Sequence, residues 1–408
     1  MVLQWFSTVP TFEGGDGQGG GNNGLQLDIV GFLAILGEGS VLANAQVSTL
    51  SKWIFLPRLL PAPQALLRPT RPSKLEPTPG RVTGVVSGND RDYLNHIGHI
   101  VLDADSMKEF DVRVVKVKRN DAVVPVKART LSYLTINAVL GCAFSTAILI
   151  LSIIWRDGMA LIACLSLSSL STIIGLGNKW TLRLPKRRTT NGSVPRGDVV
   201  IRYPKGSFLI VQCDEDVARE IFFAPENIEY LISHQPVYRI LSLVGSMLLM
   251  AGVITLANAQ VKSQTCFAAA YMILNATYWI VAAFPAKVHW NTEAFIVEKR
   301  RFSTSDEDDK NHTDHNSSFT KALWKVIVAT KSTGWVRRGD AAPDTEVWKA
   351  WLCDALEAAR TAMVKPDQVT GIQTYHVPDW DPTAELGKFL QDKTLNPDTP
   401  EYRARQQV

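Results

Sequence analysis

Four long apolar runs constrain the fold of this chain more than any other feature. They cover residues 131–155, 158–177, 240–259 and 265–284, and none contains Asp, Glu, Lys, Arg or His. Each is close to the roughly 20 residues that a helix needs to cross a bilayer. A core helix of a water-soluble protein would keep a polar stripe, which these runs lack. The sequence therefore predicts a membrane protein built on an all-α bundle of four transmembrane helices.

The four runs pair into two helical hairpins, with small α+β regions in the cytosolic connections. The mean hydropathy is only +0.02, because most of the 408 residues lie outside the runs. The predicted order is a flexible, proline-rich N-terminal region (1–80), a small cytosolic mixed unit (81–130), the first hairpin (131–177), a cytosolic α+β loop domain (178–239), the second hairpin (240–284) and a cytosolic helical tail with an acidic disordered tract (285–408).

The distribution of basic residues predicts the orientation of the hairpins. Lysine and arginine near membrane ends favour the cytosolic side. The outer ends of the runs are rich in them: Lys127, Arg129, Lys179, Arg183, Arg239 and Lys287. The two predicted turns, at 156–158 and 260–264, hold only Arg156 and Lys262. We therefore expect both termini in the cytosol, and we expect the juxtamembrane lysines and arginines to contact anionic lipid headgroups.

Local patterns predict several elements in the soluble segments. Alternation over 111–118 predicts a strand, and 198–213 reads as a β-hairpin that turns at Lys205-Gly206. Short helices are predicted over 214–223 and 225–232, the second starting at a proline. In the tail, helices are predicted over 317–331 and 343–365. The seven prolines between 57 and 79 predict an extended segment, which either follows the membrane surface or is an uninvolved linker.

No motif in the sequence predicts a catalytic, cofactor-binding or metal-binding residue. The pairs His96/His99 and His312/His315 have H-x-x-H spacing but lack the glutamate and the further ligands of a zinc site. Nucleophile elbows, Walker sequences and dinucleotide fingerprints are absent from the sequence. The five cysteines have no C-x-x-C spacing, which favours a reducing compartment. Basic stretches lie beside membrane ends, so nucleic-acid binding is not expected.

One helix face in the tail is the predicted docking surface for a cytosolic partner. The predicted helix over 343–365 carries an apolar stripe whose exposed members would be Trp348, Trp351, Leu352 and Leu356. The same stripe could equally form the core of a tail domain.

Two further sets of residues are candidates for a role. Asn137 and Asn275 are polar residues within the runs and are predicted to make intramembrane polar contacts, as packing residues or in a permeation path. The runs offer no ionisable group for an ion-coupled carrier. Ser303 and Ser305 follow Arg300-Arg301 and begin an acidic tract, so they are predicted phosphorylation sites or part of an unmodified spacer.

The chain also resembles a group of uncharacterised multi-pass membrane proteins from filamentous fungi. The resemblance is carried by residues 198–212 between the hairpins and by tail sequences at 322–325, 334–338 and 341–345. It covers roughly residues 80–365 and implies a source and a class but no activity.

Together these observations favour a non-enzymatic scaffold or adaptor with a large cytosolic face, bound to a cytosolic partner or to other copies of itself. An oligomeric channel or small-molecule transporter is the first alternative, and a membrane-bound enzyme is the second.

Overall fold

The structure is a computed structural model that describes residues 38–120, 126–184, 194–303, 315–366, 373–392 and 395. Its helices are α1 (Glu38–Ala43), α2 (Ala45–Leu50), α3 (His96–Leu102), α4 (Tyr133–Ile154), α5 (Gly158–Asn178), α6 (Glu215–Ala218), α7 (Gln235–Ala257), α8 (Val261–Ala282), α9 (Phe319–Thr330), α10 (Gly334–Arg338), α11 (Glu346–Arg360) and α12 (Pro382–Gln391). Its strands are β1 (Thr78–Gly84), β2 (Asp90–Leu94), β3 (Val112–Arg119), β4 (Lys127–Ala128), β5 (Trp180–Arg183), β6 (Val199–Arg202), β7 (Phe208–Gln212), β8 (Asn227–Tyr230), β9 (Trp290–Asn291), β10 (Phe295–Ser303), β11 (Met363–Pro366) and β12 (Gln373–His376).

The chain forms two compact units, each assembled from three stretches of sequence. The helical unit combines Met1–Lys74, Val126–Arg183 and Asn227–Asn291. The sheet unit combines Leu75–Pro125, Leu184–Glu226 and Thr292–Val408.

The helical unit contains the four apolar helices that the sequence predicts. Helices α4, α5, α7 and α8 have 22, 21, 23 and 22 residues and are long and apolar enough to cross a membrane. Helix α7 begins at Gln235, five residues before the predicted run, because Pro236 fits the first turn of a helix. Helix α8 begins at Val261, so the second turn lies at 258–260 rather than at 260–264.

Small residues allow α7 to pack closely on α5. A side chain at Gly252 would lie 2.8 Å from Leu167 of α5, and one at Gly245 would lie 2.7 Å from Leu67 and 3.4 Å from Leu170 of α5. Glycines at such contacts let helix backbones approach each other. The opposite face of α7 is apolar and exposed, at Val237, Ile240, Leu243, Val244, Met247, Met250 and Ile254. A continuous apolar surface of this kind requires a lipid or protein neighbour.

Asp157 holds the two hairpin turns together. One carboxylate oxygen accepts a hydrogen bond from the Ala160 N–H at 3.1 Å and caps the start of α5. The other oxygen accepts from the Gln260 N–H at 2.8 Å and from the Ser263 hydroxyl at 2.7 Å, at the start of α8. The carboxylate, which is only 4% exposed, therefore satisfies donors at two helix N-termini.

Residues 38–74 are packed into the helical unit, which corrects the prediction of a flexible, proline-rich region for this part of 1–80. Leu59 and Leu60 are buried. The backbone at Leu59 lies against Gly141 of α4, where an added side chain would come within 2.7 Å of the Leu59 oxygen. The backbone at Ile54 lies against Gly175 of α5 in the same way, since a side chain added at Gly175 would come within 2.6 Å of the Ile54 oxygen. Residues 1–37 lie outside the described residues.

The sheet unit contains one mixed sheet of eight strands in the order β11-β12-β10-β3-β7-β6-β1-β2. The pairs β3/β7 and β10/β12 are parallel, and the other neighbours are antiparallel. This sheet corrects the expectation of an all-α bundle with small α+β regions, because segments 81–130, 178–239 and 285–408 all contribute strands to it. The predicted strand at 111–118 and the hairpin at 198–213 are confirmed as β3 and β6–β7, with Gly206 in a positive φ of 73°.

The central strands of this sheet are buried on both faces. Consecutive residues of β7, from Phe208 to Val211, are all within 1% of full burial. Helices α9 and α11 pack on one face through a cluster that includes Phe208, Ile327 and Trp351. On the other face, the Phe222 ring packs directly against Gly98 of α3. A Cβ atom added at Gly98 would lie about 3.2 Å from this ring. Burial on both faces explains why β7 shows no alternation in the sequence.

Candidate functional site

The most distinctive polar arrangement in the helical unit surrounds Arg71. Its guanidinium lies between two rings, 4.0 Å from the centroid of Tyr230 and 4.1 Å from that of Tyr238. Its two terminal nitrogens donate to the Gly177 oxygen at 2.7 Å and to the Ile232 oxygen at 2.8 Å. The first of these bonds places the cation at the C-terminal end of α5, where the helix dipole favours positive charge.

The two tyrosines also hold the chain on either side of Arg71. The Tyr238 hydroxyl donates to the Arg68 oxygen at 2.6 Å, and the Tyr230 hydroxyl donates to the Pro72 oxygen at 2.7 Å. Burial raises the pKa of Tyr230 to about 12, so the ring stays neutral and remains a donor at physiological pH. Burial lowers the pKa of the Arg71 guanidinium, which nevertheless keeps its charge at neutral pH.

A second cation lies at the same end of α5. The Lys179 ammonium donates to the backbone oxygens of Leu50 and Ser51. Burial, and then the nearby charge of Lys52, lowers the pKa of Lys179. Neither Arg71 nor Lys179 makes an ion pair within 4.0 Å among the described residues, and both bind carbonyl oxygens instead.

A cavity of about 190 Å³ adjoins this arrangement. Its lining includes Gln46, Thr49, Arg68, Arg71, Asn178 and Tyr230. This volume is below the roughly 300–1,000 Å³ of sites for drug-sized ligands. The cavity therefore suits a small polar group rather than a large molecule. We refer to Arg71, Tyr230, Tyr238, Lys179 and this cavity as the boundary site.

The charge of the described part of the helical unit is strongly unbalanced. Residues 38–74, 126–183 and 227–291 contain thirteen lysines and arginines but three acids, Glu38, Asp157 and Glu229. Arg156, Asp157 and Lys262 belong to the hairpin turns, and Arg58 is buried against the middle of a helix, which leaves ten cations and two acids in the described segments at the other helix ends. Both of these acids are in exposed or half-exposed ion pairs, Glu38 with Arg68 and Glu229 with Arg183. Within these described segments, acids therefore compensate only a small part of the positive charge at this end.

The two asparagines that the sequence singles out differ in their hydrogen bonding. The Asn275 side-chain oxygen accepts a hydrogen bond from the Ser40 hydroxyl at 3.2 Å, so its contact is with α1 rather than with another apolar helix. Asn137 is 3% exposed, and its amide nitrogen has no hydrogen-bond partner among the described residues.

The predicted docking stripe belongs largely to the core of the sheet unit. Trp351 is fully buried and donates to the Pro382 oxygen at 2.9 Å, and Leu352 is 6% exposed. Trp348 and Leu356 are half-buried. Because α12 and Trp380 cover the stripe, the structure places these residues in the core, the other role considered for them, rather than on a docking surface.

The remaining candidates give no composite site. Ser303 ends β10 but its side chain is not described, and Ser305 and His312 lie outside the described residues. His99 pairs with Asp105 at 2.7 Å, and His315 lies 3.4 Å from Asp111. In the described ranges no group of three His, Cys, Asp or Glu side chains could hold a metal ion.

The sequence did not predict that Arg71 and Tyr230 are in contact. Arg71 lies in a proline-rich stretch that reads as a linker, and Tyr230 lies in a segment that was predicted as a helix over 225–232. That prediction is wrong, because residues 227–230 form β8, which pairs with β5. The available signal was the alternation of polar and apolar residues from Asn227 to Tyr230, which matches their alternating burial in the structure.

Comparison with known proteins found no family model, curated protein or solved structure that matches this chain. The resemblance to fungal multi-pass membrane proteins therefore stays a prediction.

Proposed function

We propose that this chain is a non-enzymatic integral membrane scaffold that binds anionic lipid headgroups at its boundary site. In this proposal α4, α5, α7 and α8 cross the bilayer, both termini are cytosolic, and the sheet unit is the cytosolic part that organises protein partners.

The observation that carries the proposal is the state of Arg71. The guanidinium is fixed between two tyrosine rings beside a cavity, and among the described residues it bonds carbonyl oxygens and has no carboxylate partner. Arginine binds phosphate through fixed N–H donors, and aromatic rings favour the headgroup layer. A lipid phosphate would supply the negative charge that the described residues around Arg71 lack.

The surrounding charge supports the same occupant. Lys179 adds a second cation at the end of α5, and ten cations face two acids in the described segments at these helix ends. Basic residues beside the membrane attract anionic lipids by about 1 kcal/mol each. The same asymmetry supports the cytosolic placement of both termini.

Thermal unfolding in lipid-doped micelles tests the proposal. The full chain in detergent should unfold at a higher midpoint with added phosphatidylserine than with the same amount of phosphatidylcholine, because a ligand of the folded state stabilises it. Lys179→Gln should lose most of this difference.

Arg183→Gln is the matched control. It removes the same charge from the same helix ends, but Arg183 is 73% exposed and already paired with Glu229. It should retain the difference between the two lipids. An equal loss in both variants would mean that surface charge alone attracts the lipid, and an undiminished difference in Lys179→Gln would contradict the boundary site.

A further inference from the structure

The apolar runs contain no Asp, Glu, Lys, Arg or His, yet the packing of residues 38–74 brings a charged side chain into the bundle. We propose that Arg58 and Asn137 form a binding site for a small monovalent anion inside the helical unit. This site is separate from the boundary site and does not depend on headgroup binding there.

Arg58 is a buried cation in a fixed position. The residue is 4% exposed. Its backbone N–H donates to the Ser171 hydroxyl oxygen at 3.0 Å, and one terminal nitrogen donates to the Trp53 oxygen at 2.8 Å. The side-chain Nε is buried and has no hydrogen-bond partner in the described part of the chain. A buried N–H of a charged group without an acceptor costs more than one of a neutral group.

Asn137 presents a second such donor on the same face of α4. A side chain at Gly141 would lie 3.4 Å from Cβ and 3.5 Å from Cδ of Arg58. Asn137 precedes Gly141 by four residues and therefore shares its face, one turn nearer the helix start. Its amide nitrogen is also buried without a partner, and the residue is 3% exposed. Two buried N–H groups that have no partner among the described residues, one of them on a charged side chain, thus belong to Arg58 and to the face of α4 against which Arg58 packs.

No described acid of the helical unit neutralises Arg58. Glu38 pairs with Arg68, and Glu229 pairs with Arg183. Asp157 is bonded at the hairpin turns, at the opposite end of α4. Gly141 lies eight residues into α4, about 12 Å along its axis at 1.5 Å per residue. An uncompensated cation at that depth marks a functional site, and an anion is its natural partner.

The donors define the chemistry of the ligand. Both groups are N–H donors, so the occupant accepts hydrogen bonds and carries a single negative charge, as chloride or a carboxylate does. The anion can be free in solution, or it can be the carboxylate of a fatty acid that enters from the lipid side.

Chloride binding to the purified full chain in detergent tests the site. The ³⁵Cl NMR line of chloride should broaden with the wild-type chain, and the broadening should fall at least fivefold in Arg58→Gln. Asn137→Leu keeps the charge and nearly the same volume, so it tests the site if Arg58→Gln does not fold, and it should lose at least half of the broadening. Arg183→Gln, an exposed cation of the same unit, should leave the broadening unchanged.

Competition with oleate distinguishes the two sources of the anion, and the two variants can refute the site. If micromolar oleate reverses the broadening of the chloride line, the ligand is the carboxylate of an amphiphile. If the broadening persists in the presence of oleate, the ligand is a free anion. Unchanged broadening in both Arg58→Gln and Asn137→Leu overturns the site.

Discussion

Replacement of Gly141 by alanine tests directly whether the N-terminal segment is packed against α4. The added methyl carbon would lie 2.7 Å from the Leu59 oxygen, whereas ordinary contact begins at 3.4 Å. The backbone must therefore move by about 0.7 Å, the difference between these distances, and the hydrogen bond from the Leu59 N–H to the Gly141 oxygen at 3.3 Å must move with it.

The expected cost follows from two opposing effects. Overpacking against a backbone atom costs about 1–3 kcal/mol. Alanine in place of a helical glycine returns about 1 kcal/mol. Gly141→Ala should therefore lower the free energy of unfolding by up to about 2 kcal/mol. Gly39→Ala is the matched control, because nothing lies within 4 Å of its new methyl group, and it should gain up to about 1 kcal/mol.

Two measurements on the full chain in detergent check this prediction. Thermal unfolding gives the order Gly39→Ala, wild type, Gly141→Ala from most to least stable. Limited trypsin digestion is the second measurement. Arg58 is 4% exposed in the wild type, so cleavage after Arg58 should be faster in Gly141→Ala than in the wild type or in Gly39→Ala. A Gly141→Ala protein as stable as Gly39→Ala and equally protected at Arg58 would refute the packing of residues 38–74.

Three further substitutions test the rest of the architecture. Asp157→Leu removes the acceptor shared by both hairpin turns and should cost about 3 kcal/mol in thermal unfolding, and a loss below about 1 kcal/mol would contradict its role. Trp351→Ala should cost about 3–5 kcal/mol because the residue is core, whereas half-buried Trp348→Ala should cost less than half as much. Burial raises the pKa of Glu226 to about 7 from its ordinary 4.5, so the folded chain retains a proton that the unfolded chain releases. Stability should fall by up to about 3 kcal/mol as pH rises from about 5 to about 8, and Glu226→Gln should remove that dependence.

The features that the sequence predicts well are local ones. The four apolar helices follow from composition over about 20 residues, and the β6–β7 hairpin follows from a glycine turn between two apolar strands. Strand β3 alternates enough to be found, although its partners are not. Its neighbours β7 and β10 lie about 95 and 180 residues further along the chain, and no local pattern specifies such pairings.

The boundary site and Arg58 could not be predicted for the same reason. Arg71 acquires its role only when Tyr230 and Tyr238, more than 150 residues later, close around it. Arg58 lies in a proline-rich stretch whose composition favours a linker, and only the close approach at Gly141 and Gly175 shows that the stretch is packed. The apolar runs do lack charged residues, but the bundle does not, because the neighbouring segment 38–74 contributes Arg58.

Native mass spectrometry of the purified chain tests the central proposal most directly. The wild type, released from detergent after extraction with mixed lipids, should retain anionic phospholipid in preference to phosphatidylcholine. Arg71→Lys combined with Lys179→Gln should lose that preference while Arg183→Gln keeps it. Equal retention of anionic lipid by all three proteins would contradict a headgroup site formed by Arg71 and Lys179.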